Sequence, residues 1–178
     1  KLTVARFPAW DCLPYDRVSP HPDVTSVRLD TLARLAAHDA AAEPLVVLAT
    51  ANAVLQKAPP RAAVLRTTRR LAPGDTVDLR DVLDGLQRGG YARASTVRES
   101  GEFAVRGGIV DVYPPGAAAP LRLDLFGDVL EGIRTFDPAT QRTLEKCDFL
   151  VIGPVSEVTL DGPSIERFRV GYRERFGQ

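Results

Sequence analysis

Two arginines and a phenylalanine are the residues whose types and spacing best suggest chemistry. The run Gly101-Glu102-Phe103-Ala104-Val105-Arg106-Gly107-Gly108-Ile109-Val110-Asp111-Val112-Tyr113-Pro114 precedes Leu121-Arg122-Leu123-Asp124-Leu125-Phe126. Strict alternation in the second run puts Leu121, Leu123 and Leu125 on one face of a strand and Arg122, Asp124 and Phe126 on the other. The leucine face belongs to a core, which leaves Phe126 on the polar side with Arg122. The two runs form a hairpin closed near residues 114–119. With Tyr113 roughly opposite Pro120, Phe126 falls opposite Gly107 and beside Arg106, unless a bulge at Gly107-Gly108 shifts the register by one. Arg106, Arg122 and Phe126 then make one exposed patch, two guanidiniums around an aromatic. Arg and aromatic side chains are the usual anchors of protein–protein contacts. A blander packing fits the same pattern, with Phe126 beneath a helix and the arginines paired with Asp124 or Glu102. A true surface patch would tolerate Arg122→Ala and Phe126→Ala with thermal stability nearly unchanged.

Other chemistries find little support. A phosphate-cradling loop needs Gly-rich backbone before a helix and a Lys at its end. Lys1, Lys57 and Lys146 are the only lysines, and none follows such a loop. There is no G-x-S-x-G, H-E-x-x-H or C-x-x-C motif. Asp124 and Asp128 are near each other, but nothing around them would raise one carboxyl pKa for acid catalysis. His21 and His38 lack the spacing of a metal pair on one helix face, and Cys12 and Cys147 cannot make a zinc site alone. No catalytic, cofactor or metal site is therefore expected in this chain. Twenty-three basic and 23 acidic residues balance, which argues against a charge-driven nucleic-acid binder. One exposed aromatic is also a thin stacking platform for single strands. No apolar run approaches the roughly 18 residues of a membrane span, and no secretion signal opens the chain. The expected location is the cytoplasm. The chain opens mid-pattern at Lys1-Leu2-Thr3-Val4 and reads as a fragment of a longer protein.

The elements that must position the patch are legible as three pieces within 178 residues. Residues 1–71 read as a partial parallel α/β layer. Residues 1–30 are mostly irregular apart from a short strand near 2–7, because four prolines between positions 8 and 22 interrupt any helix interior. Asp30 caps a helix to about 38–42 with Leu32 and Leu35 inward. Leu45–Ala49 is a short buried strand, and Thr50 caps a helix over 51–56 that Pro59-Pro60 stops. Residues 72–157 read as an α+β module on an antiparallel sheet. It has a helix at 79–88 with Val82, Leu83 and Leu86 inward, ended by Gly89-Gly90. Period-two segments then cover 91–97, 102–106, 109–113, 121–126, 129–136 and 149–152. Residues 158–178 carry Ile165, Phe168, Tyr172 and Phe176 at helical spacing, an amphipathic helix returning to the first module.

The motifs also carry a family resemblance. Phe7-Pro8-Ala9-Trp10-Asp11-Cys12-Leu13-Pro14-Tyr15-Asp16, with Ser19-Pro20 and Ser26-Val27-Arg28-Leu29, resembles the N-terminal UvrB-homology region of the bacterial transcription-repair coupling factors, the Mfd family. Leu71 to Asp75, Gly90-Tyr91, Gly101 to Asp111, Pro120 to Phe126, Ile133 to Asp137 and Gln141-Arg142 resemble the interaction domain that Mfd shares with UvrB. The second set alone does not separate the two families, so the corresponding region of UvrB is the alternative. The Trp10 segment favours Mfd. The resemblance implies a UvrB domain 1-like piece at 1–71, a UvrB domain 2-like piece at 72–157 and a recruitment role. It implies UvrA as partner, bound through Arg106, Arg122 and Phe126. RNA polymerase, double-stranded DNA, ATP and magnesium then belong to the longer parent, an ATP-driven translocase. UvrB-type sequences often carry a further Arg two residues before the first, where this chain has Ala104, so the patch is expected to bind differently from UvrB's.

Overall fold

A computed structural model describes residues 2–13, 16–39, 41, 44–157 and 162–177. Pro14 and Tyr15 of the Trp10 segment, and Ala42 at the far limit of the first expected helix, lie outside the described residues. The fold is mixed α/β. Strand β1 (Thr3–Phe7) is followed by helix α1 (Pro22–Ala37), strand β2 (Leu45–Ala49), helix α2 (Ala51–Leu55), helix α3 (Arg61–Thr67) and strand β3 (Arg69–Leu71). β1 and β2 pair in parallel, Thr3 opposite Leu45 and Phe7 opposite Ala49. The Thr50 hydroxyl caps α2 by accepting the Ala53 amide.

The first module departs from its sequence reading: helix α3 and strand β3 were not expected, and α1 and β2 differ from what was. Helix α1 begins at Pro22, not after Asp30. Proline suits the first helical position, where its missing N–H would have no partner, so Pro22 starts the helix that it was expected to forbid. The His21 side chain accepts the Asp23 amide there. Asp30 sits mid-helix and pairs with Arg34 one turn on. The buried face is Arg28, Leu29, Thr31 and Ala36, with Leu35 exposed. Strand β2 is also not buried: Val46 and Leu48, which alternate onto one face of the two-stranded sheet, are exposed.

The second module follows the reading more closely. Helix α4 (Leu79–Arg88) is capped by Asp78 and ends at Gly89. Then come β4 (Ala92–Arg93), β5 (Glu102–Arg106), β6 (Ile109–Val112), β7 (Leu121–Phe126), β8 (Val129–Phe136), β9 (Thr143–Lys146) and β10 (Leu150–Ile152). Strands β4 to β9 make one six-stranded sheet in sequence order, antiparallel except for the β4–β5 pair, while β10 pairs antiparallel with β3. The expected strand at 91–97 shrinks to two residues, because the backbone turns away to lay Val97 against Ala104 and Phe136. Val82 and Leu86 of α4 join Phe103, Val110, Leu123 and Ile133 in the main core. Helix α5 (Gly162–Phe176) has no buried residue. Its aromatic stripe stacks along the helix, with Phe168 and Tyr172 rings 5.9 Å apart and Tyr172 and Phe176 rings 5.1 Å apart.

A buried ion pair ties the segment after β10 back to the first module. Arg28 is fully buried and donates through Nε and Nη2 to Glu157. Its Nη1 donates to the Pro8 carbonyl at 2.7 Å and to Gln56 Oε1 at 3.1 Å. The guanidinium lies 4.2 Å from the Phe7 ring centre and 5.3 Å from that of Trp10. Trp10 Nε1 donates to the same Glu157 carboxylate at 3.1 Å. Glu157→Ala would strand this guanidinium without its counter-charge. It is expected to cost about 3–5 kcal/mol, read as a lower urea midpoint; a loss below about 1 kcal/mol would show that the pair does not hold the modules together.

Candidate protein-docking site

The site is built by the register of β6 on β7. Val110 lies opposite Leu123 and Asp111 opposite Arg122. Continuing that register puts Phe126 opposite Gly107, as alternation with Tyr113 near Pro120 requires. The Leu125 amide bonds the Gly108 carbonyl at 2.8 Å, so no bulge intervenes between these strands. A Cβ on Gly108 would overlap the Leu125 carbonyl oxygen, which explains a glycine at this close approach. The turns after β5 and β7 both begin with a positive-φ glycine, Gly107 at 60° and Gly127 at 63°, as tight hairpins need. Phe126 ends β7 beside both turns. It is 77% exposed, so the packing of Phe126 beneath a helix is not what the chain adopts.

The arginines are arranged differently from the expected patch. Both bond the carboxylate of Asp111. Arg122 Nε donates to Asp111 Oδ1 at 2.7 Å and Arg122 Nη2 donates to Oδ2 at 2.9 Å. Arg106 Nη2 donates to the same Oδ2. The Arg122 side chain is only 14% exposed, against 47% for Arg106. Its guanidinium lies 4.7 Å from the Phe136 ring centre, and Nη1 reaches the Gln141 carbonyl and the Thr143 hydroxyl at 3.4 Å. The hydrogen bonds that Arg122 donates to Asp111 hold it more firmly in its charged form; burial opposes this, and the charges of Asp111 and Asp124 add to it. Arg122 is thus an internal strut, and its truncation is expected to cost stability, where the sequence pattern predicted a neutral surface change. Asp124 and Glu102 are not the arginines' partners. Asp124 takes Arg134 of β8, and Glu102 accepts the Arg98 and Glu99 amides.

The face reads across the sheet as Arg106, Asp111, Arg122, Asp124, Arg134. Arg122 and Arg134 are directly opposed cross-strand neighbours. Like charges in that position repel; Asp111 and Asp124, one bonded to each arginine, offset the repulsion. Asp111 and Arg134 were missed by reading motifs alone. The signal for Asp111 was available, since the register that places Tyr113 near Pro120 also sets Asp111 against Arg122. Ala104 is buried against Val97 and Phe136, so an arginine would not fit here without rearrangement. A turn closes the site: the Thr140 amide, and to a lesser degree the Ala139 amide, donate to Asp137 and lower its pKa. That turn presents the Gln141 carbonyl to Arg122. Among the described residues no cluster of His, Cys, Asp and Glu could hold a metal ion, and no helix is long and apolar enough to cross a membrane.

The family model of the UvrB interaction domain matches residues 70–158, half of the chain and all of this site. The chain belongs to the UvrB interaction domain family. Over nearly its whole length it is similar to transcription-repair-coupling factors. That of Haemophilus influenzae is 37% identical over 98% of the chain and 15% of the relative, that of Escherichia coli 36% over 94% and 14%, and that of Myxococcus xanthus 37% over 88% and 13%. The chain therefore spans about one-seventh of the length of these relatives.

Stability should separate the tip of this face from its frame. Phe126→Ala is expected to change the unfolding free energy by no more than about 0.5 kcal/mol, and Gly108→Ala to cost about 1–3 kcal/mol. Equal losses in thermal melts would place Phe126 in the core instead.

Proposed function

We propose that this chain is a non-catalytic recruitment module that docks on UvrA and links stalled RNA polymerase to nucleotide excision repair. The observation that carries the reading is Phe126, a large aromatic held in water at the tip of two adjacent hairpins, with Arg106 on the same rim. A solvent-facing ring on a rigid sheet next to a guanidinium with spare donors has the makeup of a binding anchor. The face lies inside the matched UvrB interaction domain, whose name supports a protein partner, and the relatives' name supports transcription-coupled repair.

The chemistry of docking follows from the face. Arg106 offers donors to an acidic group on the partner, and Phe126 offers apolar area that loses its water on contact. Arg122 takes part by bracing the rim, with little surface of its own to give. Association should be steered by charge and slow as salt rises. In this reading the ATP- and magnesium-dependent translocation on double-stranded DNA, and the polymerase contact, belong to parts of the longer protein outside this chain. The module would work in the bacterial cytoplasm.

Purified UvrA titrated against the 178-residue chain is the direct test. Arg106→Ala and Phe126→Ala are each expected to weaken binding by about 2 kcal/mol, roughly thirtyfold in Kd, with melting temperature nearly unchanged. A folded wild-type chain that does not bind UvrA, or variants that bind as tightly as wild type, would refute this assignment.

A further inference from the structure

We propose that Asp111 is the positioning residue of the docking face, setting the guanidiniums of Arg106 and Arg122 for the partner without touching it. The proposal rests on the UvrA-docking reading above and deepens it. Asp111 is 1% exposed, so a docked protein cannot reach its carboxylate. Both its oxygens are engaged, Oδ1 by Arg122 and Oδ2 by Arg122 and Arg106 together. One carboxylate thus fixes two arginines that come from different strands, β5 and β7.

The environment argues for more than a local ion pair. Asp111 stands on the sheet face that also carries Ala104 and Phe136, both buried. An apolar residue would pack there without the cost of desolvating a charge, and buried ion pairs commonly add little net stability over such a replacement. What the carboxylate gives is geometry. Arg106 is a long side chain at a strand end, half-exposed and next to a glycine turn, and would sample many rotamers if untethered. It makes a single hydrogen bond, through Nη2, and its Nε and Nη1 donate to nothing among the described residues. The tether therefore leaves one edge of the guanidinium free and already aimed. Preorganisation of this kind raises affinity by removing an ordering cost that binding would otherwise meet.

The test is a double-mutant cycle on UvrA binding, with Arg side-chain NMR of the unbound chain. Asp111→Asn keeps the shape and removes the charge. It is expected to weaken binding at least tenfold in a chain that remains folded. Combined with Arg106→Ala, the loss should be clearly smaller than the product of the two single losses, because the aspartate acts through that arginine. Multiplicative losses, or full affinity in Asp111→Asn, would overturn the positioning role while leaving UvrA docking intact. A wild-type chain that does not bind UvrA would overturn both. If Asp111→Asn does not fold, wild-type Nε–H signals decide. Slow rotation about the Nε–Cζ bonds of both Arg106 and Arg122 supports the tether, and free rotation of Arg106 overturns it.

Discussion

A strand that sends every second side chain into a core must send the others out. In β7 this two-residue period fixes almost everything of functional interest. Leu121 and Leu123 are buried, which commits Arg122, Asp124 and Phe126 to the opposite face. A slip of one residue would exchange the two sets and place charges in the core. The register is held by the leucine core beneath and by Gly108, which lets the two backbones approach at Leu125. The exposed ring at the tip is therefore a consequence of the core, and no contact of Phe126 itself is needed to keep it there.

The polar face has its own logic. Arginines on neighbouring strands would repel, and acids interleaved between them convert the repulsion into a ladder. The ladder is graded in burial. Asp111 is sealed, Arg122 is mostly covered and Arg106 is half-open. Rigidity thus increases inward and accessibility outward, an arrangement suited to presenting a few groups at fixed positions. The first module is joined by a different device. Arg28 and Glu157 form a sealed pair under Trp10, which returns the chain to β1 and α1 after the sheet is complete. A pair so fully desolvated adds less to net stability than to uniqueness of arrangement, since either charge alone would be strongly unfavourable there.

Much of this was legible in the sequence where a single period dominates. The α4 helix, its stop at Gly89 and the hairpin of β6 and β7 follow from alternation, helical spacing and turn chemistry. Legibility failed where a residue's role depends on a distant partner. Nothing in the residues around Arg28 marks it for burial; its place is set by Glu157, 129 positions away. Leu35 reads as core because its spacing is helical, yet the buried side of α1 is chosen by Arg28 and Thr31. Strands β3 and β9 were missed because each is short and carries a single apolar residue, Leu71 and Leu144, so no alternation shows. At the site, Phe126 was placed correctly and the arginines only in part. Alternation says which face a side chain takes but not how deep it lies, and the depth of Arg122 is set by Asp111 and Phe136.

The central claim is that the hairpin tips carrying Arg106 and Phe126 are the docking surface. Amide hydrogen exchange of this chain with and without UvrA tests it most directly. The account predicts slowed exchange across residues 105–109 and 124–129, with β1, β2 and α5 unchanged. Protection confined to α5 or to the first module, with the hairpin tips exchanging as in the free chain, would contradict it.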